Sequence, residues 1–175
     1  SAARGPNNAE PEPIRQRLRV ASWCDPMQPT PKLTSKIIAL KSAIAAVDRW
    51  HSHHGPPIGG LFAIGVFADD RIVCVAIVSR PVARMLQAKG NVVEVTRLAS
   101  DRSVRGAASF ALRECVREAD KRGFDRVVSY TLLGEVGASY RAARWRPTQV
   151  SKRRREWDMP GRRRKPAAQP GAKVR

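Results

Sequence analysis

NVVEVTRLASDRSVRGAASFALRECVREADKRGFDRVVSYTLLGEVGASYRAARW, residues 91–145, decides the fold. It reads as strand, basic turn, helix, strand and short helix. Val92, Val93 and Val95 are a β-branched run that Leu98 extends, the composition of a buried strand. Asp101-Arg102-Ser103-Val104-Arg105-Gly106-Ala107-Ala108 makes a polar turn into a helix that stops at Gly123. Ala108, Ala111, Leu112, Cys115 and Ala119 share one face of that helix. Glu114, Arg117, Glu118, Lys121 and Arg122 take its other faces at ion-pair spacing. Residues 126–132 form a second strand and residues 137–145 a second, shorter helix. A strand feeding a helix through a small-residue turn points backbone N–H groups at an anion, usually a phosphate.

Outward from this unit, residues 61–68 and 71–79 are β-rich runs around Asp69-Asp70, which predicts a hairpin. Arg80-Pro81 ends the second run, and a helical turn follows at residues 82–86. Further upstream, Thr34 or Ser35 suits the cap of a helix reaching about His51. Ile37, Leu40, Ile44, Val47 and Trp50 would form its apolar stripe. Residues 14–22 suit a first strand, with Leu18 and Val20 on one face, before the loop that Pro26, Pro29 and Pro31 enforce. Residues 1–13, polar and rich in proline, predict a disordered segment. Residues 149–159 suit a strand interleaving Arg153, Arg155 and Trp157, and residues 160–175 a flexible basic tail. The sum is one α/β domain over residues 14–159, a mixed central sheet flanked by helices.

The charge narrows the class of partner. Lys and Arg number 33 against 15 Asp and Glu, a net +18 with a pI near 11.3. From Arg141 onward, 13 basic residues face only Glu156 and Asp158. Such an excess favours a polyanion, nucleic acid before a membrane, because no long basic amphipathic helix is present. A solubilising surface with a basic tail is the plainer alternative. Arg80, Arg84, Arg144, Arg146, Lys152, Arg153, Arg154 and Arg155 read as phosphate contacts. Trp145 and Trp157, set among them, suit either stacking on an extruded base or the core. Cys24, Cys74 and Cys115 are an odd, widely spaced set that implies no disulfide framework and suits a reducing cytoplasm. No signal peptide and no apolar run of about 20 residues is seen, so no membrane association is expected.

Two resemblances sharpen this reading. The central unit, ending in Ser139-Tyr140-x-x-x-Arg144-Trp145-Arg146-Pro147, resembles the acetyl-CoA-binding half of the GNAT acyltransferase superfamily. There an R-G-x-G-x-G/A turn holds the CoA pyrophosphate on backbone N–H groups, and a tyrosine lies four and five residues before a Gly-Phe pair. Arg105-Gly106-Ala107-Ala108-Ser109 occupies the turn here with one glycine where the pattern has three. Several further motifs look like a phage-encoded, GNAT-related family akin to the Mom proteins. They are His53-His54-x-Pro-Pro, Phe62-Ala63-Ile64-Gly65-Val66, Val75-Ala76-Ile77-Val78-x-Arg80-Pro81-Val82-Ala83-Arg84, Glu94-Val95-Thr96-Arg97, Ser129-Tyr130-Thr131 and Gly137-Ala138-Ser139. This second resemblance spans roughly residues 32–159. It implies a GNAT-like fold and transfer of a carbamoylmethyl group to N6 of adenine in double-stranded DNA, protecting phage DNA from restriction in the bacterial cytoplasm. The implied donor is acetyl-CoA or a related acyl-CoA, held by Arg97, Leu98, Arg102, Arg105, Gly106, Ala107, Ala108 and Ser109.

The candidate chemistry falls on few residues. Tyr140, with Ser139 beside it, would serve a leaving thiolate as the GNAT tyrosine does, or simply pack on the sheet. Glu94, alternating with Val93 and Val95, suits a buried general base or a strand ion pair with Arg97. Asp101 and Ser103 suit helix capping, and Asp101 would also lie close to a bound cofactor. His51, His53 and His54 are the one cluster of metal-binding type; His53 and His54, with a third ligand such as Glu94, Asp101 or a tyrosine, would hold iron better than a structural zinc. Hydrogen bonding at a helix end and DNA contact suit the same histidines. Two other functions remain open: a CoA-dependent N-acetyltransferase acting on a small amine or protein, and a non-catalytic DNA-binding module. Monomer and homodimer are equally compatible with the sequence.

Overall fold

A computed structural model describes residues 31–50, 57, 59–88, 90–132, 135, 137–151 and 173–175, all within the compact unit Pro31–Arg175. In chain order the elements are β1 (Leu33–Ile38), α1 (Leu40–Trp50), β2 (Phe62–Ala68), β3 (Arg71–Ser79), α2 (Arg84–Gln87), β4 (Val92–Ser100), α3 (Ala107–Lys121), β5 (Arg126–Ser129), β6 (Thr131–Leu132), α4 (Ala138–Ala142), β7 (Val150–Ser151) and β8 (Lys173–Val174). Five strands form a sheet in the order β1-β2-β3-β4-β5. The first four are antiparallel neighbours, whereas β5 runs parallel to β4, with α3 as the crossover. A second sheet, β6-β8-β7, is antiparallel throughout.

The hairpin expected around Asp69-Asp70 is present: both residues are left-handed, with φ of 46° and 66°. That is the two-residue turn whose twist matches its strands, and aspartate tolerates it better than most side chains. The two faces of the large sheet are covered by different helices. Ala107, Ala111, Leu112, Cys115 and Ala119 of α3 pack on Ile64, Val66, Cys74, Ala76, Val93 and Val95. Ala43 and Val47 of α1 pack on Ala63, Val75, Ile77 and Ala99 on the other face. Cys74 and Cys115 are buried and free, as small hydrophobes. Gly123, with φ 75°, ends α3. The N–H of Phe124 reaches Ala119 O at 3.0 Å and that of Gly123 reaches Asp120 O at 2.9 Å, a Schellman closure.

Four expectations are revised. Thr34 and Ser35 cap no helix; they lie in β1, paired with Phe67 and Val66. The β-branched Thr34, Ile37 and Ile38 fit a pleated edge better than a helix, and Gly65 leaves room there, since a Cβ on it would lie 2.9 Å from Ile38 Cγ2. The helix starts only at Leu40, so Ile37 leaves the stripe. The strand expected over residues 126–132 divides at Tyr130 into β5 and β6, which belong to different sheets. Lys173–Val174, expected in a flexible tail, forms the central strand of the second sheet. Asp101 and Ser103 do not cap α3, for the reason given below. No helix among the described residues is long and apolar enough to cross a membrane. Residues 1–13, the strand over 14–22, Cys24, His51, His53, His54, Lys152, Arg153, Arg154, Arg155 and Trp157 lie outside the described residues.

Candidate active site

The sheet opens at one point. Pairing between β4 and β5 runs from Val92↔Arg126 to Val95↔Ser129 and stops there, while β4 continues to Ser100 against β3 alone. At the same level Val78 pairs with Val95 and Ile77 with Arg97, so Thr96 is an extra residue, a bulge. Its hydroxyl is held by Ile77 O at 3.3 Å and by Ser79 Oγ at 3.2 Å. The bulge also switches side-chain parity. Val93 and Val95 face α3, as does Leu98, whereas Ala99 faces α1. Without an inserted residue Leu98 would have pointed the other way.

Where the strands part, the hydroxyl of Ser129, itself buried, donates to Val95 O at 3.0 Å and lies 2.9 Å from Tyr140 Oη. Serine has one proton to give. With that proton committed to Val95, Tyr140 is the donor to Ser129 Oγ. Burial pushes the Tyr140 phenol above the ordinary tyrosine value; the Ser129 hydrogen bond pulls the other way without cancelling it, and Glu135 adds to the rise. Tyr140 is therefore a neutral phenol near pH 7, a proton donor and not a base. It stands in a cleft of about 540 Å³ that Ser129, Trp145 and four arginines, Arg126, Arg141, Arg146 and Arg175, help to line. Trp145 packs edge-on against Tyr140, centroids 5.6 Å apart. Its buried indole Nε1 has no hydrogen-bond partner among the described residues.

The turn from β4 to α3 is organised by Asp101. Its Oδ1 accepts from the N–H and hydroxyl of Ser103, at 2.9 and 2.6 Å, and its Oδ2 from Arg71 at 2.6 Å. Partial burial works against the charge, but these Ser103 and Arg71 contacts outweigh it and hold the carboxyl below the usual range. Both oxygens are thus occupied several residues short of the helix. The N-cap is Gly106 instead, left-handed at φ 86°, with no side chain bonded to the first-turn N–H groups. Arg102 and Arg105 stand exposed beside it. The Ala107 N–H reaches Val104 O at 3.4 Å, and the N–H groups of Ala108 and Ser109, at the start of a 15-residue helix beside two guanidinium groups, fit a pyrophosphate. Of the other residues expected there, Ala108 is half-buried, Ala107 is buried, and Ser109 turns its hydroxyl back to Gly106 O at 2.9 Å. These three offer backbone only. Arg97, on the α1 face by the parity above, donates to Thr96 O at 2.7 Å.

The remaining candidates do not converge on one pocket. Glu94 is buried on the face opposite Val95, and its Oε2 accepts the Val82 N–H at 2.9 Å. Asp101 lies seven residues further along β4, roughly 20 Å at the rise of a strand. Ser139, half-buried in α4, accepts the Ala143 N–H through its carbonyl at 3.0 Å. Arg80, Arg144 and Arg146 are exposed, and Arg84 opens α2. Among the described residues no group of three or more His, Cys, Asp and Glu is placed to hold a metal. Sequence reasoning missed Ser129 and the cleft arginines 126, 141 and 175. A serine closing a valine strand inside Ser129-Tyr130-Thr131 was the available signal.

Comparison with known proteins supports the architecture. The ribosomal-protein-S18-alanine N-acetyltransferase of Escherichia coli superposes with a TM-score of 0.54 at 14% identity, covering 82% of this chain and 90% of that one. A Bacillus subtilis acetyltransferase solved with CoA gives a TM-score of 0.52 at 14% identity, covering 82% and 95%. An aminoglycoside acetyltransferase from an uncultured soil metagenomic sample gives 0.52 at 13%, covering 72% and 97%. At such identities the likeness concerns the fold, which is that of the GNAT acetyltransferases. No curated protein sequence matches the chain. Residues 32–165, well over half of it, match the Mom protein family, and the chain belongs to that family.

Proposed function

We propose that this protein is a DNA-modifying transferase that places a small acyl group on N6 of adenine in double-stranded DNA. The observation that carries the reading is the Tyr140–Ser129–Val95 chain where β4 and β5 part, in a cleft with four arginines in its wall. Membership of the Mom family and the +18 charge support the substrate class. An acyl-CoA, when bound, supplies an activated acyl carbon with a thiolate leaving group. Toward such a donor the chain offers the Gly106 turn with Arg102 and Arg105 for phosphates. Tyr140 keeps a proton on Oη, held toward Ser129 Oγ in the resting site, and hands it to a leaving group when the O–H turns away from Ser129. The arginines bind backbone phosphates and hold a nucleotide near the cleft. An adenine inside a duplex exposes N6 to such a cleft only when extruded, and the Tyr140–Trp145 pair offers an aromatic wall to meet it. Glu94, engaged with Val82, serves as scaffold in this reading.

Nucleoside mass spectrometry of plasmid DNA co-expressed with the protein tests the proposal. The expected result is a modified deoxyadenosine, reduced at least about 100-fold by Tyr140→Phe, the low end of what a positioned proton donor contributes. Acetyl-CoA turnover on small amines with unmodified DNA would replace this function with an ordinary N-acetyltransferase. Salt-sensitive DNA binding with neither activity would leave a binding module.

A further inference from the structure

The connection from β3 to β4 exposes apolar side chains that the fold does not need. Val82 is 79% exposed and Met85 73%, the highest values among the large exposed hydrophobic residues described. Neither exposure reflects a loose loop. Pro81 and Leu86, which flank them in sequence, are buried. The Val82 N–H is held by the buried carboxylate of Glu94 at 2.9 Å, Pro81 O takes Gln87 Nε2 at 2.6 Å, and Leu86 N–H reaches Ala83 O at 2.9 Å. A buried carboxylate that accepts a loop N–H helps fix where that loop points. The result is a braced projection with an apolar tip, flanked in sequence by the exposed Arg80 and by Arg84.

We propose that Val82 and Met85 form a wedge that enters the base stack of duplex DNA beside the adenine being extruded. The inference rests on the reading of duplex DNA as substrate and adds to it the element that opens the stack. Two observations favour DNA over another occupant of this surface. Arg80, just before the tip in sequence, is exposed, and its guanidinium complements a phosphate beside an opened step. The tip's anchor, Glu94, directly precedes Val95 in β4, and the Val95 carbonyl ends the Ser129–Tyr140 chain, so one strand carries both the loop anchor and the chain that leads to the cleft. An extruded base leaves a hole in the stack, and an inserted apolar side chain fills it.

The test reads DNA unwinding, which requires no chemistry. Nicked plasmid is closed by ligase in the presence of the full-length protein, and its topoisomers are resolved after deproteinisation. Side chains inserted between base pairs unwind the duplex, so the wild type shifts the distribution in proportion to bound protein. The double variant Val82→Ser, Met85→Ser changes exposed atoms only and is compared at equal occupancy, measured by anisotropy. A shift reduced at least about fivefold supports the wedge. An equal shift, or none with the wild type, overturns it. Variant-sensitive binding to anionic phosphatidylserine vesicles without a plasmid shift overturns it in favour of a membrane contact. Adenine analysis of plasmid co-expressed with the protein reports separately: unmodified adenine there with an intact, variant-sensitive shift in the ligase assay ends the proposed function and keeps the wedge, whereas modified adenine without a shift does the reverse.

Discussion

Replacing Ser129 by alanine removes one buried oxygen that serves two partners, Val95 O at 3.0 Å and Tyr140 Oη at 2.9 Å. Each hydrogen bond contributes about 1 kcal/mol net, and a buried group left unpaired costs about 1–3 kcal/mol. The variant should therefore lose roughly 2–3 kcal/mol, or about 5–10 °C in Tm at the scaling for a chain of this size. The Ser129 bond also lowers the Tyr140 phenol against the rise caused by burial, so its loss should move Tyr140 further up. Tyr130 is the other tyrosine in the chain, and a Tyr130→Phe background isolates Tyr140 for ultraviolet titration of the phenol. Because the native state keeps the Tyr140 proton where the unfolded chain has lost it, stability should fall as pH rises above the ordinary tyrosine value of about 10. Ser129 acts on any transfer through Tyr140, so Ser129→Ala should cost less rate than Tyr140→Phe, and the double variant no more than Tyr140→Phe alone. Multiplicative losses in the double variant, or a Tyr140 titration that ignores Ser129→Ala, would refute the chain of donors.

Asp101 carries its charge in the folded state at a depressed pKa, so its contribution is present above the unfolded aspartate value near 3.9 and is lost as pH falls through the folded value. Asp101→Asn should flatten that acid limb in urea melts at pH 2–5, and an unchanged limb would refute its part in the turn. Gly106→Ala places a Cβ at φ 86° and should cost about 1–2 kcal/mol while weakening acetyl-CoA binding in calorimetry; undiminished affinity would detach the turn from the cofactor. Burial pushes the Cys74 thiol up to about 12 and Cys115 higher still. Ellman's reagent at pH 8 should accordingly titrate at most one of the three thiols before unfolding, and a second fast thiol would contradict the packing of α3 on β3.

The parts of the molecule legible from sequence were those where local pattern and burial agree. Val92 to Val95, the i, i+3, i+4 face of α3 and the Asp69-Asp70 turn each carry a short-range signal that the sheet then uses unchanged. Thr34 to Ile38 misled because its polar start resembles a cap, while its partner, β2, begins more than 20 residues later. Tyr130 gave no sign of a break, since residues 126–132 keep one β-like composition; the cause is the bulge at Thr96 on the neighbouring strand. Asp101 was legible as a capping type of residue but not as a participant in an Arg71 contact 30 positions away. Tyr140 was found from its spacing to Arg144-Trp145. Ser129, its hydrogen-bond partner, lies 11 residues away across a turn and was not.

One inserted residue accounts for how these features come to depend on one strand. A regular β4 would pair with β5 along its full length and keep Arg97 and Ala99 on the face of α3, closing the sheet and burying a guanidinium. With Thr96 inserted, Leu98 takes that face, Arg97 turns away, and β5 has no register to follow beyond Val95. The last shared carbonyl, Val95 O, is then met by Ser129, which in turn aims Tyr140. On the opposite face the preceding residue, Glu94, sets the β3–β4 tip through Val82. A proton donor in the cleft and an apolar projection outside it are thus fixed by consecutive residues of a single strand. This is the coupling an enzyme needs if opening a duplex and modifying the extracted base are to occur at the same nucleotide.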